Sequence, residues 1–131
     1  MIIRIIKPYA SIGLDIDANV YISFFKNYYP NYEVIISDTE VKIHDIDDIH
    51  IYISNTKYDL TLKAKIKIFM VNHELFFQKI GDLNILKNID YVLCRTKIGM
   101  EWVNKIRSKY NLKYELIYTS FTSLFKEIKV E

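Results

Sequence analysis

The sequence predicts a single α/β domain of three layers, in which helices cover both faces of a mainly parallel sheet of about six strands. Short apolar runs of strand length alternate along the chain with segments whose apolar residues recur at helical spacing. One run, Tyr91-Val92-Leu93-Cys94, carries no charge, as a strand requires when both of its faces are covered. The 131 residues suit one domain, and the sequence shows no internal repeat and no domain boundary.

The first three elements predict one strand–helix–strand unit. An isoleucine-rich strand covers 2–7, and a loop of small residues follows through Gly13. Asp15 or Asp17 is suited to cap the next helix, because a carboxylate accepts hydrogen bonds from free backbone N–H groups. The helix is expected to end at about Tyr29, before Pro30.

The second strand is predicted at 32–37 and should pair in parallel with the first through a right-handed crossover. The spacing of the apolar residues in the intervening helix predicts which of them face the sheet: Ile16, Val20 and Phe24, with Tyr21, Phe25 and Tyr28 alongside.

The rest of the chain continues the alternation after an acidic, irregular segment at 38–48. The further predicted strands lie at 49–54, 65–71, 91–94 and 114–118. Helices are predicted at 82–88, at 124–130 and, capped by Thr96, up to about Tyr110. The predicted buried stripe of the Thr96 helix consists of Gly99, Trp102, Val103, Ile106 and Tyr110.

Composition narrows the kind of protein. Half of the residues are hydrophobic, and only three are glycine and two proline, which excludes a disordered chain. The net charge of +2 gives no strong attraction to nucleic acid or to an anionic membrane. The single cysteine excludes an internal disulfide, and the apolar pieces at the start are too short for a signal peptide or a membrane span. We therefore expect a soluble, cytoplasmic protein.

Polar residues follow four of the predicted strands, and they should converge at the carboxyl edge of the sheet, where ligands bind in open α/β proteins. These residues are Ser11 and Gly13; Asn72, His73 and Glu74; Arg95, Thr96 and Lys97; and Thr119, Ser120 and Thr122. Arg95 and Lys97 lie at a helix N-terminus, which favours an anion. His73 offers a base near neutral pH. A phosphate or a polyhydroxylated ligand fits this mixture, and the alternative is the ordinary polarity of loops.

Other chemistry finds little support in the sequence. It contains no glycine-rich dinucleotide or phosphate-loop motif, no nucleophile elbow and no CxxC pair, so no cofactor is predicted. His44, His50 and the aspartates near them lack helical ligand spacing, so we expect a solvated acidic loop with strand-edge histidines and no metal site. Cys94 and Trp102 are expected in the core.

Two segments resemble the N-terminal domain of glycosyltransferase family 4. Residues 69–76 resemble its fourth strand and the turn that follows, where an Asn, a variable residue and a Glu precede an aromatic residue. Residues 89–97 resemble the next strand, with its D-x-(apolar)-C-K-T run, although Arg95 stands where lysine is usual. The resemblance implies that 1–131 form one Rossmann-like domain of the two-domain GT-B architecture, the one that receives the acceptor.

The donor-binding half of that architecture carries an E-x7-E motif, and no two glutamates here have that spacing. The resemblance therefore implies a stand-alone acceptor-side domain that binds a glycan. It would not be active alone, and sugar transfer would need a separate donor-domain chain or another copy of itself. His73 would be the candidate catalytic residue, Asn72 and Glu74 would orient it or bind hydroxyls, and Gly13 would permit close backbone approach.

Two other functions remain open from the sequence. One is a glycan-binding or regulatory module that has kept the fold and lost catalysis. The other is an unrelated flavodoxin-like α/β protein that binds a small ligand. A receiver-like protein is less favoured, because strands one and three lead to Ser11 and Ser54 where acidic residues would be needed.

Overall fold

A computed structural model of the protein describes residues 1–6, 12–37, 46–53, 63–70 and 86–119. These residues form one sheet of six strands, all parallel, which confirms the predicted Rossmann-like α/β fold. In chain order the elements are β1 (Ile2–Ile6), α1 (Ile12–Tyr28), β2 (Glu33–Ser37), β3 (Asp47–Ile53), β4 (Ala64–Met70), β5 (Tyr91–Cys94), α2 (Lys97–Lys109) and β6 (Glu115–Tyr118).

The two helices lie on opposite faces of the sheet, which gives the three predicted layers. Successive residues of a strand point to opposite faces, so β1 serves both: Ile3 and Ile5 pack with α1, and Ile6 packs in the cluster that contains α2 residues. All three isoleucines are completely buried. Burying each one contributes about 1.5–3 kcal/mol relative to leaving it exposed.

The strand order is β2-β1-β3-β4-β5-β6. The chain first moves outward from β1 to β2, then returns to place β3 on the other side of β1, and it continues in that direction to β6. The first five strands thus follow the doubly wound, flavodoxin-like order, with a switch point between β1 and β3. A crevice is expected outside the carboxyl ends of the strands at such a point.

Helix α1 starts earlier than predicted. It begins at Ile12, so Gly13 lies in its first turn and not in a loop, and neither Asp15 nor Asp17 is the N-cap. A carboxylate is favourable both at the N-cap and within the first turn of a helix, so its presence does not mark the first residue.

The buried face of α1 also differs from the prediction. Ala18 and Phe25 are buried, whereas Phe24 is 47% and Tyr28 69% exposed. Apolar residues occur on several sides of this helix, so their spacing alone does not select the side that packs. The small Ala18 lies against the isoleucine-rich core and permits a close approach of the helix to the sheet.

Strand β3 includes Asp47 and Asp48, which the sequence assigned to an irregular acidic loop. Asp47 can be buried there because the Arg4 guanidinium lies 2.8 Å from its carboxylate. In α2 the buried residues are Gly99, Val103 and Ile106. Trp102 and Tyr110 are each 41% exposed, so the predicted stripe was wrong for these two residues. The remaining predicted helix at 124–130, and most of the one at 82–88, lie outside the described residues.

Candidate functional site

The turn from β5 into α2 lies at the carboxyl edge of the sheet. Thr96 has extended backbone angles, and its hydroxyl accepts a hydrogen bond from the Gly99 N–H at 3.0 Å. This confirms Thr96 as the N-cap of α2. Lys97 follows in the first turn and is exposed. The sequence therefore placed these two side chains correctly, at a helix start that follows a buried strand.

Arg95 joins this turn to α1. Its guanidinium Nη1 donates to Oδ1 of Asp17 at 2.8 Å, and the side chains are only 20% and 12% exposed. The two residues are 78 positions apart in the sequence. Asp17 therefore acts as an ion-pair partner at the carboxyl edge and not as the predicted helix cap.

The surroundings of this ion pair are poorly solvated. Burial raises the pKa of Asp17 above its ordinary value, although the charge of Arg95 and its hydrogen bond act in the opposite direction. Burial, with a further contribution from the Asp17 charge, raises the pKa of the neighbouring Tyr21 to about 12. Tyr21 therefore keeps its hydroxyl proton at neutral pH, and α1 brings a carboxylate and a phenol close to the β5 end of the sheet.

The end of β6 lies beside the same turn. The backbone N–H of Thr119 donates to the carbonyl of Cys94 at 2.9 Å, and Cys94 and Tyr118 are paired in register. Tyr118 is 47% exposed, so it presents an aromatic ring at the edge. Tyr118 was not among the site residues predicted from the sequence, although the last residue of a predicted strand is expected at the carboxyl edge. The role of Asp17 was not predicted either, and the local sequence offers no signal for it.

The predicted site residues fall into three groups. Arg95, Thr96 and Lys97 are consecutive at the turn, with Thr119 held at the neighbouring strand end. Gly13 lies in the first turn of α1, after β1. Those outside the described residues are Ser11, Asn72, His73, Glu74, Ser120 and Thr122.

Residues 72–74 follow a strand whose end is described. Met70, the last residue of β4, is paired with Leu93 of β5. Because the two strands are parallel, both end at the same edge of the sheet.

The cysteine, histidine and metal-site predictions can also be compared with the structure. Cys94 is 1% exposed and burial raises the pKa of its thiol to about 11, which fits the predicted core role. His50 is completely buried in the interior strand β3, so its prediction as a strand-edge histidine beside a solvated loop was wrong. Within the described part of the chain, no group of three or more His, Cys, Asp or Glu side chains could hold a metal ion.

Comparisons with known proteins were made at three levels. No family model matches the chain, and no curated protein or solved structure matches it either. Among the described helices, none has the length and apolar character needed to span a membrane.

Proposed function

We propose that this protein supplies the acceptor side of a sugar-transfer reaction, binding a glycan at the carboxyl edge of its sheet. One observation carries the proposal. The two segments that resemble glycosyltransferase family 4, 69–76 and 89–97, begin with the last two residues of β4 and contain the whole of β5, and these strands are neighbours in the sheet. Phe69 pairs with Val92 and Met70 with Leu93, so the two strands end side by side at the carboxyl edge.

The described part of the edge has the chemistry that a glycan requires. Sugar hydroxyls donate and accept hydrogen bonds, and Asp17, Arg95 and Thr119 carry acceptor and donor groups close to the ends of β5 and β6, where they already bond to one another or to the Cys94 carbonyl. Tyr118 adds an exposed aromatic face, of the kind that lines many ligand sites. Lys97 adds a solvent-accessible positive charge at the start of α2, suited to an anionic substituent.

Sugar transfer requires a donor-binding surface beside the acceptor site. A glycosyl-transfer site must hold donor and acceptor together and exclude water, and much of the rate comes from that positioning. The E-x7-E spacing of the donor-binding domain does not occur in this sequence. We therefore propose that a donor domain not contained in these 131 residues, or another copy of them, forms the second wall of the cleft, with His73 as the candidate base.

The proposal is tested by ligand-observed NMR on the full chain, with oligosaccharides and nucleotide-sugars screened in parallel. We expect oligosaccharides to bind and nucleotide-sugars not to bind. His73→Ala and Lys97→Ala should weaken oligosaccharide binding, and Lys105→Ala, which removes an exposed lysine from the middle of α2, should leave it unchanged. Nucleotide-sugar binding alone would overturn the acceptor assignment, and a chain that binds no glycan would refute the proposal.

A turnover assay separates transfer from recognition. Chains that co-purify with the protein are supplied with labelled nucleotide-sugars and with the bound oligosaccharide. Labelled product that depends on His73 supports the hypothesis that the protein takes part in sugar transfer. Binding that persists without turnover with any co-purifying chain supports a glycan-binding module that lacks catalysis.

The strand order favours one further candidate, a flavodoxin-like protein that binds a small phosphate-bearing ligand. The order β2-β1-β3-β4-β5 places a switch point beside β1, and α1 is the element that follows that strand in the described chain. A mononucleotide added to the NMR screen distinguishes this candidate. Binding of the mononucleotide, with chemical-shift changes at the start of α1 and no response to oligosaccharides, would favour the flavodoxin-like protein over the acceptor-side domain.

A further inference from the structure

A buried polar network crosses β1 and β3, away from the carboxyl-edge site. Asp47 Oδ2 lies 2.8 Å from Arg4 Nε and 2.7 Å from His50 Nε2. On the other side of the imidazole, His50 Nδ1 lies 2.8 Å from the Tyr52 hydroxyl. Asp47, His50 and Tyr52 are exposed by only 2%, 0% and 4%. The described core thus contains a continuous chain of polar groups from the start of β3 almost to its end.

The partners fix the direction of each hydrogen bond. An ionised carboxylate only accepts, so a neutral His50 must carry its hydrogen on Nε2 in order to donate to Asp47. Nδ1 is then an acceptor, and the Tyr52 hydroxyl donates to it. Protonation of the imidazole would place a hydrogen on Nδ1 as well. The His50–Tyr52 hydrogen bond would have to reverse, with the Tyr52 oxygen as the acceptor.

The charged groups around His50 come from three strands. Its own strand supplies the Asp47 carboxylate, β1 supplies Arg4 and β4 supplies Lys67, and both cations occupy positions paired in register with His50. Burial is the largest influence and lowers the pKa of His50. Asp47 acts to raise it, and Arg4 and Lys67 lower it further. The imidazole is therefore neutral at pH 7, between two positive charges and one negative charge.

We propose that His50 is an acid-sensitive element of the sheet, whose protonation reverses its hydrogen bond with Tyr52 and loosens the pairing of β1, β3 and β4. Proton uptake adds a third positive charge between Arg4 and Lys67, which a single carboxylate cannot balance. The reversed hydrogen bond would lie one residue from the carboxyl end of β3, because Tyr52 precedes Ile53, the last residue of that strand. The proposal concerns the protein alone and holds whichever ligand that edge binds.

The test follows the imidazole nitrogens by NMR in the full chain. The sequence has three histidines, and His44→Gln with His73→Gln leaves His50 as the only one. At pH 8 we expect a protonated Nε2 and an unprotonated Nδ1. On acidification His50 should titrate with a midpoint below 6.5, and the Tyr52 ring and the amides of β1, β3 and β4 should change at that same midpoint.

Two outcomes of this titration overturn the proposal. One is an imidazole that stays neutral until the whole protein unfolds in acid. The other is an imidazole that titrates while the Tyr52 ring and the strand amides do not change.

Two variants that each remove one charge should shift the His50 titration midpoint in opposite directions. Lys67→Gln removes a repelling cation and should raise the His50 midpoint, whereas Asp47→Asn removes the favourable carboxylate and should lower it. Lys105→Gln removes the same charge from α2, on a side chain exposed to solvent, and should leave the midpoint unchanged. If Asp47→Asn does not fold, the partly exposed Lys67 position decides the test. An unchanged or lowered midpoint in Lys67→Gln overturns the proposal.

Discussion

Removing the Arg95 guanidinium while keeping a long apolar side chain, as in Arg95→Met, leaves the Asp17 carboxylate without its cation. An exposed ion pair contributes about 0.2–1 kcal/mol, and breaking a fully buried one costs about 3–5 kcal/mol. With exposures of 20% and 12%, this pair lies between those cases. We expect the free energy of unfolding to fall by about 1–3 kcal/mol. Burial already raises the pKa of Asp17, and loss of the guanidinium should raise that pKa further.

A double-mutant cycle isolates the contribution of the pair. Asp17→Asn removes the carboxylate that Arg95→Met leaves unpaired, so the double variant should recover much of the lost stability. We expect a coupling energy of about 1–2 kcal/mol from urea unfolding followed by circular dichroism at pH 7. Lys105→Met, at an exposed position on α2, serves as the control and should change stability by less than about 0.5 kcal/mol. A coupling energy within roughly 0.3 kcal/mol of zero would refute the pairing of these residues in solution.

Four shorter predictions concern single side chains. The Tyr114 hydroxyl donates to a buried helix carbonyl at 2.8 Å, so Tyr114→Phe should cost about 1 kcal/mol and lower Tm by roughly 3–5 °C; an unchanged Tm would contradict this. Thr96→Ala removes the α2 cap and should cost about 1 kcal/mol in urea unfolding, whereas Thr96→Ser should retain most of the stability. The Cys94 thiol, with its pKa raised to about 11, should react with iodoacetamide at pH 8 only after unfolding, so rapid labelling of the folded chain would disprove its burial. Because folding lowers the pKa of His50 below 6.5, the unfolded chain takes up the proton more readily. The contribution of His50 to stability should therefore be complete above pH 6.5 and fall at lower pH, by up to about 1.4 kcal/mol per pH unit. In urea unfolding at several pH values, the free energy of unfolding should change less with pH for His50→Asn than for the natural chain. An equal pH dependence in the two chains would contradict the lowered pKa of His50.

The sequence predicted well those features that depend on neighbouring residues. The run at 91–94 became β5 with the same limits, and Thr96 capped the following helix as expected. Both signals are local, since an uncharged run of strand length and a hydroxyl before a helix need no distant partner. The parallel arrangement followed from the alternation of such elements. For the candidate site, the same local signals placed Arg95, Thr96 and Lys97 at one turn.

Features that depend on distant partners were not predictable in this way. An acidic stretch ordinarily indicates a solvated loop, but Asp47 is buried because Arg4, 43 residues away, neutralises it. Asp17 suited a helix cap, and only the folded chain brings it to Arg95. The packing side of α1 depended in the same way on the sheet beneath it, which the helix sequence does not encode.

The position of β1 between β2 and β3 has a consequence for synthesis of the protein. The first strand leaves the ribosome first, yet its second neighbour is complete only at Ile53. Until then, Ile3 and Ile5, which are fully buried in the finished protein, belong to a nascent chain whose sheet is open on one side. An unpaired, isoleucine-rich strand edge is prone to associate with other chains. We therefore expect ribosome-bound chains that expose β1 and β2 but not yet β3 to depend on a chaperone, and chains extended beyond Ile53 to depend on it less.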